Sequence, residues 1–506
     1  MIYYFLIFFW FIRQIKAGLF WFYLWQLKEY HLGRFINHFR TEKGRKLLFN
    51  PLVVIKIAIF FVFLAMGYIS VTLGFYDAVA DFIILSSAFI FFLIYFLEAA
   101  KFISSYISNK FIKPVFTKKI QFLSLIVLTF TFGFLFYTLR FSRRPLFELL
   151  AFDILTPLII SLIVLFFQPL AVLGRNQIIR KAKKKRRKFK ELLVIGIAGS
   201  YGKTSTKELL ASILSKKYKV LKTKEHQNSE VGISQCILDE LNSSHQIFVC
   251  EMGAYNLGGI KLLCDIVQPK IGILTGINEQ HMALFGSQEN IIKTKFELIE
   301  SLPDNGIAFF NGKNKYCLDL YKQAKTKKVL YGQKAQFFGE ENIEGAKAVA
   351  RELGMSESEI SKAVQKIENK FPGIELKKGK NGLNIIDATY SANPNGVMAH
   401  LDYLKIWKGK KVIIMPCLIE LGRVSKEVHK RIGEKIGEVC DLAIITTKER
   451  FKEIKQGAVG KGMKSENILF LENPKLIFEK IKDFNKENDI ILLESRVPKL
   501  LIEQLK

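Results

Sequence analysis

The chain has 506 residues, half of them hydrophobic and 44 of them Phe, with a formal net charge of +29. It is long enough for several domains, and its mean hydropathy of +0.18 argues against a wholly soluble protein. The charge points to an anionic partner, and the six Cys form no CxxC pair, which argues against a zinc ribbon or a disulfide framework and fits reduced cytosolic thiols.

The apolar excess lies in the first third. The opening run MIYYFLIFFWFIRQIKAGLFWFYLW is interrupted by Arg13 and Lys16, and a charge near a helix centre is costly in lipid, so it reads as a weak span or an interfacial segment with an aromatic belt. It has neither the basic start nor the small-residue cleavage site of a signal peptide. Four stretches, Leu52–Phe75, Ala78–Leu97, Ile120–Leu139 and Leu149–Phe167, have the roughly 20 apolar residues that cross a hydrocarbon core as helix. Lys28–Lys46 and Lys101–Lys119 are basic and Tyr76–Asp81 is not, so the flanking charge predicts an inner-membrane protein with everything after Phe167 in the cytoplasm. Arg140, Arg143 and Arg144 run against that pattern. QIIRKAKKKRRKFK (Gln177–Lys190) holds nine basic residues and no acidic one. Directly after a span it reads as an anchor on anionic headgroups rather than a nucleic-acid patch.

From Glu191 short apolar strands alternate with amphipathic helices, the α/β pattern. In VIGIAGSYGKTSTKELL a buried strand runs into Gly199-Ser200-Tyr201-Gly202-Lys203-Thr204-Ser205 and then a helix. Glycines let successive N–H groups turn toward phosphate oxygens, Lys203 supplies a cation for the outer phosphates, and the Thr204 hydroxyl can ligate Mg²⁺. The spacing departs from GxxxxGK[ST], because Ile197 stands where the first Gly belongs. The stretch predicts nucleotide binding.

The loop resembles that of the Mur ligase superfamily, the ATP-dependent amide-forming ligases of peptidoglycan assembly. Four further blocks match in order: VCEMGAYNLGGI (Val249–Ile260), ILTGINEQHMALFGSQENIIKTKFELIE (Ile273–Glu300), IIDATYSANPNGVMAHLDYL (Ile385–Leu404) and IMPCLIELG (Ile414–Gly422), with His429 and Gly433 beyond. The resemblance covers about residues 190–500 and is closest to the MurF branch, which adds D-alanyl-D-alanine to a UDP-muramoyl-tripeptide. Joined to the apolar first third, it gives a multi-domain chain: an N-terminal α-helical transmembrane domain of four or five helices (1–170) and a polybasic juxtamembrane linker (171–190), read from hydropathy and charge, then, as the resemblance implies, an α/β P-loop central domain (191–372) and an α/β Rossmann-like C-terminal domain (373–506).

The resemblance also implies roles. ATP phosphorylates a carboxylate, and an amine then attacks the acyl phosphate, with two Mg²⁺ ions holding the charges. Lys203 grips the phosphates, and Gly199, Ser200, Gly202, Thr204 and Ser205 belong to the same cradle. Thr204 and Glu251 take the first Mg²⁺, while His281 and Lys295, the latter carbamylated in relatives, take the second. Glu297 completes the family's KxE pattern. Asn228 matches an Asn near the substrate carboxylate, and Asp387, Tyr390 and Asn393 match positions lining the nucleotide cleft. The implied partners are a UDP- or lipid-linked muramoyl-peptide, an amino acid or dipeptide, membrane lipids and other cell-wall enzymes, and no nucleic acid.

Three departures qualify the resemblance. Apolar segments stand where the family carries a UDP-gripping soluble domain, so a lipid-linked or differently held acceptor is expected. The chain is short between Phe309–Asn314 and Asn342–Gly354. Ile374, Ala388, Ser391 and Cys417 replace the usual Arg, Asp, Asn and Gly. Alternatives are a poly-γ-glutamate- or folylpolyglutamate-type ligase and, from another class, a catalytically weakened nucleotide-binding membrane scaffold. The ELG and TYSANP stretches favour the MurF type, and the Cys spacing cannot form the four-Cys zinc insert of a related amidating ligase.

Overall fold

A computed structural model describes the chain except residues 1, 40, 74–77, 109–110, 143, 225–226, 336–338, 366–374, 380–381, 390–392, 483, 485, 487 and 506, with side chains at 2, 43, 66–73, 78–87 and 375 also outside the description. The 372/373 domain boundary, Ile374, Tyr390 and Ser391 therefore lie outside the described residues. Residues 1–174 and 175–506 form two compact units.

The first unit is helical: α1 (Ile2–Leu27), α2 (Leu32–His38), α3 (Glu42–Leu48), α4 (Pro51–Leu73), α5 (Ala78–Ile107), α6 (Lys118–Phe141), α7 (Pro145–Phe166) and the start of α8 (Gln168–Arg186). Among the described residues, five of its helices are long and apolar enough to cross a membrane. The opening run is helical over Ile2–Leu27. α1 is one continuous helix packed on α5 and α7, with Trp10 and Trp25 wholly buried. Its charge is tolerated because it is compensated. Arg13 pairs with Glu98 at 2.9 Å and with Asp153 at 3.5 Å, and Lys56 with Glu98 and, at 2.6 Å, with Asp153. Gln14 adds a hydrogen bond to Asp153 and accepts one from Thr156. In an apolar bundle each of these groups unpaired would cost several kcal/mol, roughly, so the network ties α1, α4, α5 and α7 in one register. Most of the polybasic stretch is helical, in α8, up to Arg186.

The second unit carries two sheets. The first is built from β1 (Leu193–Ala198), α9 (Lys203–Leu214), β2 (Val220–Lys222), α10 (Glu230–Glu240), β3 (Ile247–Glu251), α11 (Gly259–Val267), β4 (Ile271–Leu274), α12 (Met282–Phe285), α13 (Gln288–Glu300), β5 (Ile307–Asn311), α14 (Lys315–Gln323), β6 (Lys327–Tyr331), α15 (Glu340–Glu352) and α16 (Glu357–Gln365). Its strand order is β2-β3-β1-β4-β5-β6, parallel throughout. β1 is central and covered on both faces, which is why LVIGIA is a continuous apolar run rather than an alternating one. Val194, Ile195 and Ile197 have no exposed surface, each contributing about 1.5–3 kcal/mol by burial.

The second sheet comprises β7 (Glu375–Lys378), β8 (Asn384–Ala388), α17 (Pro394–Leu404), β9 (Lys411–Met415), α18 (Ser425–Val439), β10 (Leu442–Ile445), α19 (Phe451–Gly460), β11 (Ile468–Phe470), α20 (Pro474–Ile481), β12 (Ile490–Glu494) and α21 (Lys499–Leu505). Its order is β11-β10-β9-β12-β8-β7, parallel except for the antiparallel β7 edge. The α/β expectation holds for both sheets, and the six Cys are buried free thiols.

Candidate active site

The loop between β1 and α9 is shaped by close approach. A side chain at Gly199 would place its Cβ 2.2 Å from Thr275 Oγ1, and one at Gly202, where φ is +78°, would meet Asn342 Oδ1 at 2.6 Å. Gly202 is the N-cap of α9 and provides no side-chain cap, so the first N–H groups of a 12-residue helix face the loop, the arrangement that favours an anion. The neighbouring strand pins the loop: Ser200 N–H donates to Gly276 O at 2.6 Å, and Asn278 N–H donates to Ser200 Oγ at 3.2 Å. Lys203 folds over the loop and donates to the carbonyls of Gly199 (2.8 Å) and Ser200 (3.3 Å). Burial holds its ammonium below the usual lysine range, against the pull of Glu251. Ser205 lies half-buried on the first turn of α9.

β3 lies beside β1 with Ile197 opposite Glu251, so the carboxylate ends its strand next to the loop. Thr204 Oγ1 donates to Glu251 Oε2 at 3.0 Å and Asn228 Nδ2 to Oε1 at 3.1 Å. Lys207, wholly buried, stands 3.5 Å from Glu251 and 3.2 Å from Glu208. Sequence reasoning missed Lys207, although it sits one helical turn after Lys203 and so shares its face. Thr204, Asn228 and Glu251 are thus brought together, and Asn228 serves the carboxylate.

His281 and Lys295 lie close by. His281 has φ +64° and stacks edge-on against Tyr255 with centroids 5.0 Å apart. Its Nδ1 is 2.6 Å from Glu420 Oε2. Burial lowers its pKa, Glu420 opposes that, and Lys295 and Lys203 add to the lowering. Lys295 is 4% exposed, and its Nζ finds Ala254 O at 3.5 Å and the Phe285 ring at 5.6 Å. Burial first, then Lys203, pushes its pKa down to about 7, with Glu297 opposing. Glu297 itself accepts from the N–H groups of Gly258 (2.6 Å) and Lys261 (2.9 Å), capping the start of α11. Among the described residues no group of three or more His, Cys, Asp and Glu side chains forms a metal cage.

The second sheet's domain reaches this cluster. Asn278 Nδ2 donates to Asn393 Oδ1 (3.3 Å) and Asn395 Oδ1 (2.8 Å), and Ala283 N–H donates to Glu420 O at 3.0 Å. Glu420 sits at φ +64° and Gly422 at φ +56°, with Gly422 pressed against the backbone of Ala283. Sequence reasoning missed Asn278 and Glu420, both inside motifs it had quoted. Asp387 is not gathered in: Lys377 (2.8 Å) and Thr389 hold it within its own sheet. His429 is an internal strut, accepting from Leu418 N–H at 2.9 Å.

The family models for the Mur ligase middle domain and for the Mur ligase glutamate ligase domain match residues 197–385 and 374–496. A UDP-N-acetylmuramoyl-tripeptide–D-alanyl-D-alanine ligase of Borreliella burgdorferi (strain ATCC 35210) is 30% identical over 350 residues, covering 60% of this chain and 72% of the relative. The enzyme of that name from Bacillus subtilis (strain 168) is 26% identical over 333 residues, with the same two shares of 60% and 72%. Across the first curated relatives the chain spans between 59% and 72% of their length. The solved structure of MurF ligase from Thermotoga maritima in complex with ADP superposes with TM-score 0.55 at 26% identity, covering 65% of this chain and 83% of that one.

Proposed function

The chain belongs to the Mur ligase family, and we propose that it is a MurF-type ATP-dependent ligase that joins D-alanyl-D-alanine, or a similar amine, to a muramoyl-peptide carboxylate at the inner face of the membrane. The observation that carries the reading is Glu251, fixed at the mouth of the glycine loop by Thr204, Asn228 and Lys207. That is a preorganised anionic group beside a cationic, anion-seeking loop.

ATP, when bound, supplies the phosphoryl group that turns a carboxylate into an electrophile. Lys203 leaves the loop carbonyls to meet the phosphates, whose charge restores the protonation that burial disfavours. Thr204 and Glu251 are the residues for one Mg²⁺, and His281 and Lys295 for a second. The fit is good in two respects. Glu420 on Nδ1 of His281 fixes the tautomer that leaves Nε2 as a lone pair, the usual carboxylate support of a metal-binding histidine. The depressed pKa of Lys295 leaves much of its amine neutral near pH 7, the form that takes up CO₂, and a carbamate there would relieve the repulsion from Lys203. Asn278 and Glu420 hold the two domains together over the cluster, which excludes water from the activated carboxylate. Asp387 enters this scheme only by leaving Lys377.

The membrane reading is supported by five sufficiently apolar helices among the described residues and by the basic flanks, whose charge favours the cytoplasmic side for residues 171–506. Tethering suits an acceptor, or a next enzyme, at the membrane. Detergent-purified protein with Mg-ATP should release phosphate only when UDP-muramoyl-tripeptide and D-alanyl-D-alanine are both present, and Lys203→Ala should be silent. Tight ATP binding without turnover on these or on lipid-linked acceptors and other amines would replace the ligase with a nucleotide-binding scaffold.

A further inference from the structure

The strongest unassigned feature is cationic and lies at the other end of β1. On α8, Ile179, Ala182 and Arg186 face inward, and Arg186 spends its guanidinium on the carbonyls of Val267, Phe189 and Leu192. Arg180, Lys183 and Lys184 follow the i, i+3, i+4 spacing of one face of α8, and Arg187 and Lys188 continue the basic run in the turn just beyond it. These five residues alone wall a groove of about 550 Å³. Sharing Lys183 and Arg187 with it is a wider concavity of about 840 Å³, to which Lys190 and, from the start of β4, Lys270 contribute. Asp265 and Glu191 are the acids there, and Asp265 is 3.9 Å from Lys183. Arg180, Lys184, Arg187, Lys188, Lys190 and Lys270 make no ion pair among the described residues.

Neighbours on one helix face stand about 5–6 Å apart, inside the screening length of about 8 Å at physiological salt, so this cluster repels itself until an anion enters. The nucleotide cannot be that anion. Leu193 lines the concavity and opens β1, whereas the glycine loop follows Ala198, some 15–20 Å along the strand. Only Phe167 separates α8 from the end of α7. In sequence, the basic stretch thus follows directly on a helix long and apolar enough to cross a membrane.

We propose that the groove and concavity between α8 and the starts of β1 and β4 form a site for the phosphate of an anionic lipid headgroup. The proposal rests on the reading that the apolar helices lie in a bilayer. Lys183, Arg187, Lys190 and Lys270 take the phosphate, and the outer stripe of α8 takes neighbouring headgroups.

The test is calorimetric titration of the full-length protein in neutral detergent with short-chain dioctanoyl phosphatidylglycerol. The parallel arms are dioctanoyl phosphatidylcholine, inorganic phosphate and tripolyphosphate. Saturable binding of phosphatidylglycerol is expected, with none of phosphatidylcholine and much weaker binding of the soluble phosphates. At about 1 kcal/mol per basic residue, Arg187→Ala/Lys190→Ala/Lys270→Ala should bind about 100-fold more weakly, whereas Lys190→Arg/Lys270→Arg should bind as the parent does. If the triple variant does not fold, the single variant Lys270→Gln should bind about 5-fold more weakly. Phosphate release with both substrates should be unchanged in detergent. Equal binding of the two lipids, or parent-like binding by the alanine and glutamine variants, would overturn the site. Soluble phosphates binding as tightly as phosphatidylglycerol would overturn the lipid occupant. Incorporation of the chain into nanodiscs is scored separately, so that failure there strikes the membrane reading and not this site.

Discussion

Lys295→Met should make the protein more stable at neutral pH while abolishing its proposed activity. In the folded chain the Lys295 amine titrates near 7 rather than at 10.5. A shift of that size corresponds to roughly 4–5 kcal/mol between the two protonation states. Because the folded pKa is lowered, the unfolded chain holds the extra proton between about pH 7 and 10.5, and stability rises with pH across that window. The cost is fully present below about pH 7, amounts to about 4 kcal/mol at pH 7 and falls under about 1 kcal/mol by pH 10. Met fills the same space without a charge, so the variant should melt higher at pH 7 and lose its advantage by pH 10. Denaturation of both proteins in detergent at pH 7, 8, 9 and 10, in CO₂-depleted buffer, measures this. Bicarbonate should stabilise the parent alone. A difference independent of pH, or a variant less stable at pH 7, would refute the reading that Lys295 is a strained buried cation.

Gly422→Ala should loosen the docking of the two domains. The residue would carry a Cβ 3.3 Å from the Ala283 backbone at φ +56°, at about 1–2 kcal/mol of strain, and kcat/KM should fall about 10-fold; an unchanged value would count against the docked form being the working one. Glu420→Gln should raise the Mg²⁺ needed for half-maximal turnover about 10- to 100-fold with the fold intact, and an unaltered Mg²⁺ curve would remove Glu420 from the metal's support. Lys56→Met leaves Glu98 and Asp153 with Arg13 alone inside the bundle, so the detergent-solubilised protein should lose about 3–5 kcal/mol of stability, and an unshifted melting curve would show that the network is not what joins these helices.

The nucleotide loop was legible because its chemistry is local. Glycine, lysine and threonine at fixed offsets between a buried run and a helix say what the backbone must do there. Glu251 was legible as a carboxylate at a strand end, but that its strand neighbours β1, with β2 displaced to the sheet's edge, is a matter of topology. Lys207 and Asn278 belonged to stretches already read, but their meaning depends on which carboxylate or domain lies opposite. Glu420 is the plainest case, since its side chain acquires a role only when the second sheet's domain docks and brings it to His281. In the bundle, too, the deciding partners are distant in sequence. Hydropathy judges Arg13 by its immediate neighbours, and the partner that makes it tolerable, Glu98, is 85 residues away. The polybasic run hid a helix because its charge is conspicuous and its buried stripe, Ile179, Ala182 and Arg186, includes an arginine.

The central claim is that a carboxylate is activated by phosphoryl transfer at the Lys203 loop and then captured by an amine. Supplying the muramoyl-peptide with an ¹⁸O-labelled terminal carboxylate and analysing the released phosphate by mass spectrometry tests it directly. A carboxylate oxygen that attacks phosphorus leaves with the phosphate when the amine displaces it. The account therefore predicts one ¹⁸O in each phosphate, matched one-for-one by amide product. Unlabelled phosphate, drawn from water and released without amide, would contradict it.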